Sequence, residues 1–212
     1  RAKQLAGFQV ALVDLRGHGQ SDGRRWHVDG FQDNVADLDA FVAKLSQDGV
    51  AGDQLFLLGH SHGALVATWW GLSRGRLLSG LVLSSPWFRL ALRPPLLKVL
   101  AAKVAGRFVP WLPVDAGLDL ADLTSDVDMQ RWTARDPLYG RKTTPRWFEE
   151  AGRAQQEVLR RAGELETPLL VLAGAADRIA DPGAARSFVA AAGSKDKRIV
   201  VYDGFRHEIF NE

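Results

Sequence analysis

The chain has 212 residues, 46% of them hydrophobic and 25% charged, an ordinary globular composition and enough length for one domain with an insertion. Its 27 basic and 25 acidic residues leave a formal net charge of +2, and no block of like charges occurs, so no nucleic-acid-binding surface is indicated. Cysteine is absent, which excludes disulfides, thiolate catalysis and thiolate metal sites.

The opening residues, RAKQLAGFQV, lack the apolar core of a secretory signal and read as the end of an amphipathic helix running into a strand. Residues 8–15, FQVALVDL, are rich in apolar and β-branched side chains and are followed by Gly17 and Gly19. They predict a buried strand with a loop after it. The loop motif RGHG is too short for a dinucleotide fingerprint, and His18 and His27 read as loop-structuring residues. Residues 35–45 place Val35, Leu38, Val42 and Leu45 at helical spacing, with Asp37 and Asp39 early. A short apolar strand follows at 54–58. Next comes a buried helix at 63–73 with Gly75 as its stop, then a strand at 81–83.

From 87 to 164 the rhythm breaks. This stretch is rich in proline and holds four of the seven tryptophans, with a helix-like segment at 96–108 and no convincing buried strand. It reads as a mainly helical insertion between two strands. Two further strands are predicted at 169–172 and 198–202. Strands alternating with helices imply a parallel sheet covered on both faces, whose ligands bind beyond the C-terminal strand ends. The expected division is a core of 1–86 and 165–212 with an inserted unit at 87–164.

Three strand ends carry reactive residues. After the strand at 54–58 comes Gly59-His60-Ser61-His62-Gly63, a G-x-S-x-G nucleophile elbow. Here a strand must turn sharply into a helix, and flanking glycines let the two backbones approach. Read as a plain turn, it only joins strand to helix; read as an elbow, it holds Ser61 out as a nucleophile, with the His62 backbone N–H pointing where an oxyanion would form. Asp177 follows the strand at 169–172, and His207 follows the strand at 198–202. A serine needs a base and the base an orienting acid, and the chain order Ser, Asp, His suits this architecture. Asp181 and Asp203 are rival acids, but Asp177 lies nearer its strand end. His60 and His62 flank the elbow residue and should diverge, so no metal is expected there, and neither metal nor organic cofactor is needed.

Together DLRGHGQSDG, GHSHG, GAADRIAD and YDGFRHEIFNE resemble the monoacylglycerol lipase and lysophospholipase branch of the α/β-hydrolases, also grouped as serine aminopeptidase-like hydrolases. LLKVLAAKVAGRFVP and TARDPLYG in the insertion are similar to that family's cap. The resemblance implies an α/β-hydrolase fold with Ser61 as nucleophile, His207 as base and Asp177 as its partner. It also implies a helical lid at 87–164 over an acyl-binding channel. Two departures stand out. The family usually has Met after the nucleophile, where this chain has His62. The family also begins with further strands and an HG-bearing loop that supplies a second oxyanion donor, and it continues past His207 into a last helix. Neither is matched here, so the resemblance implies a longer protein of which this segment alone would be poorly active.

The expected activity is hydrolysis of lipid esters, foremost monoacylglycerol, through an acyl-enzyme. A lysophospholipase, a short-chain esterase, an aminopeptidase and a non-catalytic binding protein are the alternatives, since the triad does not distinguish leaving groups. Lys98, Lys103 and Arg107 accompany the apolar residues of the 96–108 segment, as in a helix that lies on a membrane. No run of about 18 apolar residues predicts a spanning helix. A cytoplasmic or peripheral-membrane location is therefore expected.

Overall fold

The computed structural model describes residues 7–50, 55–91 and 104–212. Four parallel strands form the central sheet: β1 (Phe56–His60), β2 (Gly80–Ser84), β5 (Leu169–Gly174) and β6 (Lys197–Tyr202), in that spatial order. Leu57 pairs with Leu81, Val82 with Leu170 and Leu172 with Val200, so the strand ends lie side by side. Between β2 and β5 a separate two-residue antiparallel ribbon joins β3 (Val114–Asp115) to β4 (Lys142–Thr143).

The helices follow from their apolar spacing. Helix α1 (Gln32–Gln47) buries Val35, Leu38 and Val42, one face at a 3.6-residue period. Helix α2 (His62–Arg74) is buried nearly all round, from Ala64 to Thr68 and at Trp70, because it lies between the sheet and other helices. After the short helix α3 (Leu120–Leu123) and helix α4 (Val127–Arg135) comes α5 (Pro145–Arg160), which packs on α2 through Ala151, Ala154 and Val158. Helix α6 (Pro182–Ala191) covers β5 and β6, and its Phe188 ring meets Phe88 at 4.5 Å. Central strands β2 and β5 carry the core, with Leu83 and Val171 fully buried.

All but one of the predicted strands and helices of the core exist, with ends shifted by at most three residues. One expectation is corrected. Residues 8–15 join no strand, and their side chains are accessible, with Phe8 at 58% and Leu12 at 73% exposure. The described sheet ends at β1, where Phe56 and Leu58 are also half exposed. Among the described residues they have no ladder partner; the Asp14 and Leu15 carbonyls instead accept within the following loop, from the Ser21 hydroxyl at 2.6 Å and the His18 N–H at 3.0 Å, and Phe8 meets Phe56 edge-on at 6.0 Å. The loop expected after them is present. The amphipathic end expected in the first residues, the start at Gln54 of the strand expected at 54–58, and most of the 96–108 segment lie outside the described residues, although residues 104–108 are helical.

That loop and α5 are tied by one hydroxyl. Thr144 is fully buried and caps α5, accepting from the Trp147 N–H at 3.3 Å. The same hydroxyl donates to the Trp26 carbonyl at 3.0 Å, and His27 Nδ1 lies 3.0 Å from it. Glu150 of α5 accepts from the Phe31 N–H at 3.3 Å. At the other end of the loop the Arg16 guanidinium grips Asp37 of α1 at 2.7 Å and Asp33 at 3.2 Å. Thr144→Val keeps the shape and orphans these partners, at a cost of about 1–3 kcal/mol. Thermal melts should show Tm several degrees lower in Thr144→Val, and close to wild type in Thr144→Ser.

Candidate active site

Strand β1 ends at His60, and α2 begins at His62, so the whole reversal falls on Ser61. Its backbone is held at φ 52°, ψ −119°, a conformation that costs a non-glycine residue of order 1–3 kcal/mol. Gly59 makes the reversal possible. A Cβ there would stand 2.5 Å from the Gly63 carbonyl oxygen and 2.7 Å from the Ala64 Cα. Gly63 differs from expectation, since a Cβ at that position meets nothing within 4 Å. Strand and helix cross over Gly59, and Gly63 has already turned away from the crossing. The His62 N–H is the first of α2, and helix geometry leaves the first N–H groups without an intrahelical partner.

Because β1, β5 and β6 run parallel, their C-terminal ends bring three distant residues together. His207 Nε2 lies 2.7 Å from Ser61 Oγ, and His207 Nδ1 lies 2.8 Å from Asp177 Oδ2. The other Asp177 oxygen accepts from the Ile179 and Ala180 N–H groups, at 2.8 and 2.9 Å. The Asp177 and His207 side chains are 1% and 4% exposed, so the pair is shielded from water and counter-ions. The rival acids are elsewhere. Asp181 caps α6 through the Gly183 N–H and pairs with Arg89 at 2.7 Å, while Asp203 is exposed.

The elbow histidines diverge as expected. His60 places Nδ1 3.1 Å from Ser84 Oγ and packs its ring on His207 at 4.9 Å. His62 packs on Trp147 at 4.7 Å, Phe31 at 5.9 Å and His18 at 6.4 Å. Burial, reinforced by the charge of His207, pushes the His60 imidazole down to about 3. Burial, with His18 nearby, pushes His62 to about 3 as well. Both rings are neutral at physiological pH, so His62 adds no charge beside the nucleophile.

Ser61 opens into a mostly apolar cavity of about 430 Å³, within the usual range of small-molecule pockets, roughly 300–1,000 Å³. The loop at 17–26, the elbow and the segment between β2 and β5 line it together. Among the apolar residues of that segment that reach the cavity are Trp87, Leu90, Trp147 and Phe148. Phe88 is core, whereas Val104, Phe108, Trp111, Leu112 and Trp132 are about half exposed or more. Leu96, Leu97, Leu100, Lys98 and Lys103 lie outside the described residues. Sequence reasoning missed Trp26 and Gly140, which also line the cavity. No local pattern marks them, since each reaches the site from a loop. It also treated His18 as purely loop-structuring. His18 does bond the Arg16 carbonyl at 3.0 Å, but it lines the cavity too.

Two outcomes follow from this geometry. Gly59→Ala forces the β1–α2 crossing apart and should lower Tm markedly, while Gly63→Ala, with open space and better helix propensity, holds or raises it. His62 carries a proton-linked penalty whose sign follows from its lowered value. Between the ordinary histidine value near 6.5 and about 3, the unfolded chain binds a proton that the folded chain refuses. Stability therefore falls as pH drops through that window. Denaturant titrations of His62→Met should show a shallower acid dependence, by roughly 1 kcal/mol per pH unit.

Comparison with known proteins agrees with the fold. The family profile described as serine aminopeptidase, S33, matches residues 2–212. A phospholipase of Bacillus subtilis, YtpA, is 32% identical over 209 residues, covering 98% of this chain and 80% of that protein. The monoglyceride lipase of Homo sapiens is 34% identical over 221 residues, covering 100% of this chain and 70% of that protein. The crystal structure of the monoacylglycerol lipase of Paleococcus ferrophilus superposes with a TM-score of 0.84 at 30% identity, covering 93% of this chain and 74% of that one. The chain belongs to the serine aminopeptidase (S33) family of α/β-hydrolases, and it is a serine ester hydrolase.

Proposed function

We propose that the protein hydrolyses lipid esters, foremost monoacylglycerols, with Ser61 as nucleophile, His207 as general base and Asp177 as its orienting acid. The observation that carries this reading is the unbroken hydrogen-bonded line from Ser61, which lines a mostly apolar cavity, through His207 to Asp177.

His207 Nε2 accepts the Ser61 hydroxyl proton as Oγ attacks the ester carbonyl. The imidazolium that forms is held by Asp177, whose second oxygen is already satisfied by two backbone N–H groups and stays in place. The carbonyl oxygen becomes an oxyanion against the His62 N–H at the positive end of α2. His207 then gives its proton to the departing alcohol oxygen, leaving Ser61 acylated. Water enters, loses a proton to His207 and releases the acid and the free serine. The segment at 87–164 acts as a lid that excludes water from these steps. No metal or organic cofactor takes part.

A lysophospholipid reading has one observation in its favour. Arg25 and Lys142 both border the cavity, where they could meet a phosphate. The relatives named phospholipase and monoglyceride lipase divide in the same way. Fatty-acid release from a monoacylglycerol and from a lysophospholipid, measured on the full-length protein, separates the two. The expected result is faster release from the monoacylglycerol, at least about 10³-fold lower in Ser61→Ala and roughly 10⁴-fold lower in Asp177→Asn. Release from lysophospholipid alone keeps the residues and moves the substrate. Release that survives Ser61→Ala overturns the assignment.

A further inference from the structure

The wall of the cavity beside Ser61 is a run of flat rings contributed by four separate parts of the chain. His18 from the 17–26 loop lies against His62 of the elbow at 6.4 Å, with ring planes 22° apart. His62 meets Trp147 of α5 at 4.7 Å and 40°. Trp147 meets Trp87, beyond the end of β2, at 5.6 Å and 18°. All four residues line the cavity, as Ser61 does.

These rings offer carbon rather than polar groups. The indole nitrogens of Trp87 and Trp147 and Nε2 of His62 are buried, so the ring surface that faces the cavity is largely aromatic carbon. His62 is held neutral by burial and adds no charge to this surface. The Trp87 backbone N–H donates to the Ser61 carbonyl at 3.3 Å, so the run is anchored at the nucleophile itself. The ring of His207, which must face the departing alcohol, packs on His60, whereas the run continues from His62, whose N–H would hold the carbonyl oxygen. With the alcohol leaving on the His207 side, we assign the run to the acyl half of the ester.

We infer that the site accepts esters of aromatic-ring-bearing acids, and prefers them to straight-chain acyl esters of the same carbon number. A flexible alkyl chain on this wall gains contact area alone. A ring gains area and continues the stack, and an aromatic pair is worth a factor of roughly 2 to 10 beyond its area. The inference rests on the ester-hydrolase reading above and extends its acyl range.

The test compares kcat/KM for the glycerol monoesters of 4-phenylbutyric acid and decanoic acid, which share carbon number and leaving group, on the full-length protein. The expected result is a preference of roughly 2- to 10-fold for the phenylbutyryl ester. That preference should fall to about one in Trp147→Leu and persist in Trp147→Phe, with thermal melts checking that each variant folds. Should Trp147→Leu fail to fold, His62→Met removes a neighbouring ring, keeps the backbone N–H and should narrow the preference. Equal or faster turnover of the decanoyl ester by wild type overturns the aromatic preference and leaves the hydrolase reading standing. A preference unchanged by loss of a ring also overturns it. If neither ester is turned over and a fluorophosphonate probe leaves Ser61 unlabelled, the hydrolase reading falls, and the inference falls with it.

Discussion

Strand β1 reverses into helix α2 within one residue, and Gly59 is what lets the two backbones pass. A single Cβ at that point would collide with the backbone of the helix's first turn. From this crossing follow the strained conformation of Ser61, the free N–H at the start of α2 and the burial of α2 beneath the sheet. The strain is affordable because it is over-determined. The Ser61 N–H donates to the Ser84 carbonyl at 2.9 Å, and the Ser61 carbonyl accepts from the Ala64, Leu65 and Trp87 N–H groups. The backbone cannot relax without breaking sheet and helix together.

Around this turn the protein keeps charge scarce. Two imidazoles flank Ser61, and burial holds both neutral. The carboxylate of Asp177 is the buried anion of the site, and it is matched by His207 on one oxygen and by two backbone N–H groups on the other. A positive charge developing on His207 therefore has one close, fixed counter-charge. A protonated His60 at 4.9 Å would oppose that charge, so its neutrality matters to the chemistry as well as to stability.

The walls of the site come from pieces that hold one another in place. Arg16 fastens the loop at 17–26 to α1, and Thr144 fastens its far end to α5. Helix α5 in turn lies on α2 through small residues, and Gln155 of α5 donates to the Trp87 carbonyl at 2.9 Å. The cavity surface depends on these ties because no element supplies more than a few of its side chains.

Much of this was legible in the residue order. Apolar runs and 3.6-residue spacing mark β1, β2, β5, β6, α1 and α2, and the elbow with the later Asp177 and His207 marks the strand ends where chemistry would sit. Those signals are local, or depend only on parallel strands ending at one side. Other features were decided by tertiary structure. Residues 8–15 have the composition of a buried strand, yet among the described residues they pair with no strand, because a ladder needs a neighbour and local pattern does not report one. Gly59 and Gly63 look equivalent in the motif, and only the angle at which β1 crosses α2 makes one indispensable and the other open. His18, His62, Trp147 and Trp87 are scattered over more than a hundred residues and share no periodicity. Periodicity reports which face of an element is apolar, but the stacking of these rings into one wall depends on how loop, elbow and helix dock, which is settled by contacts between distant parts of the chain.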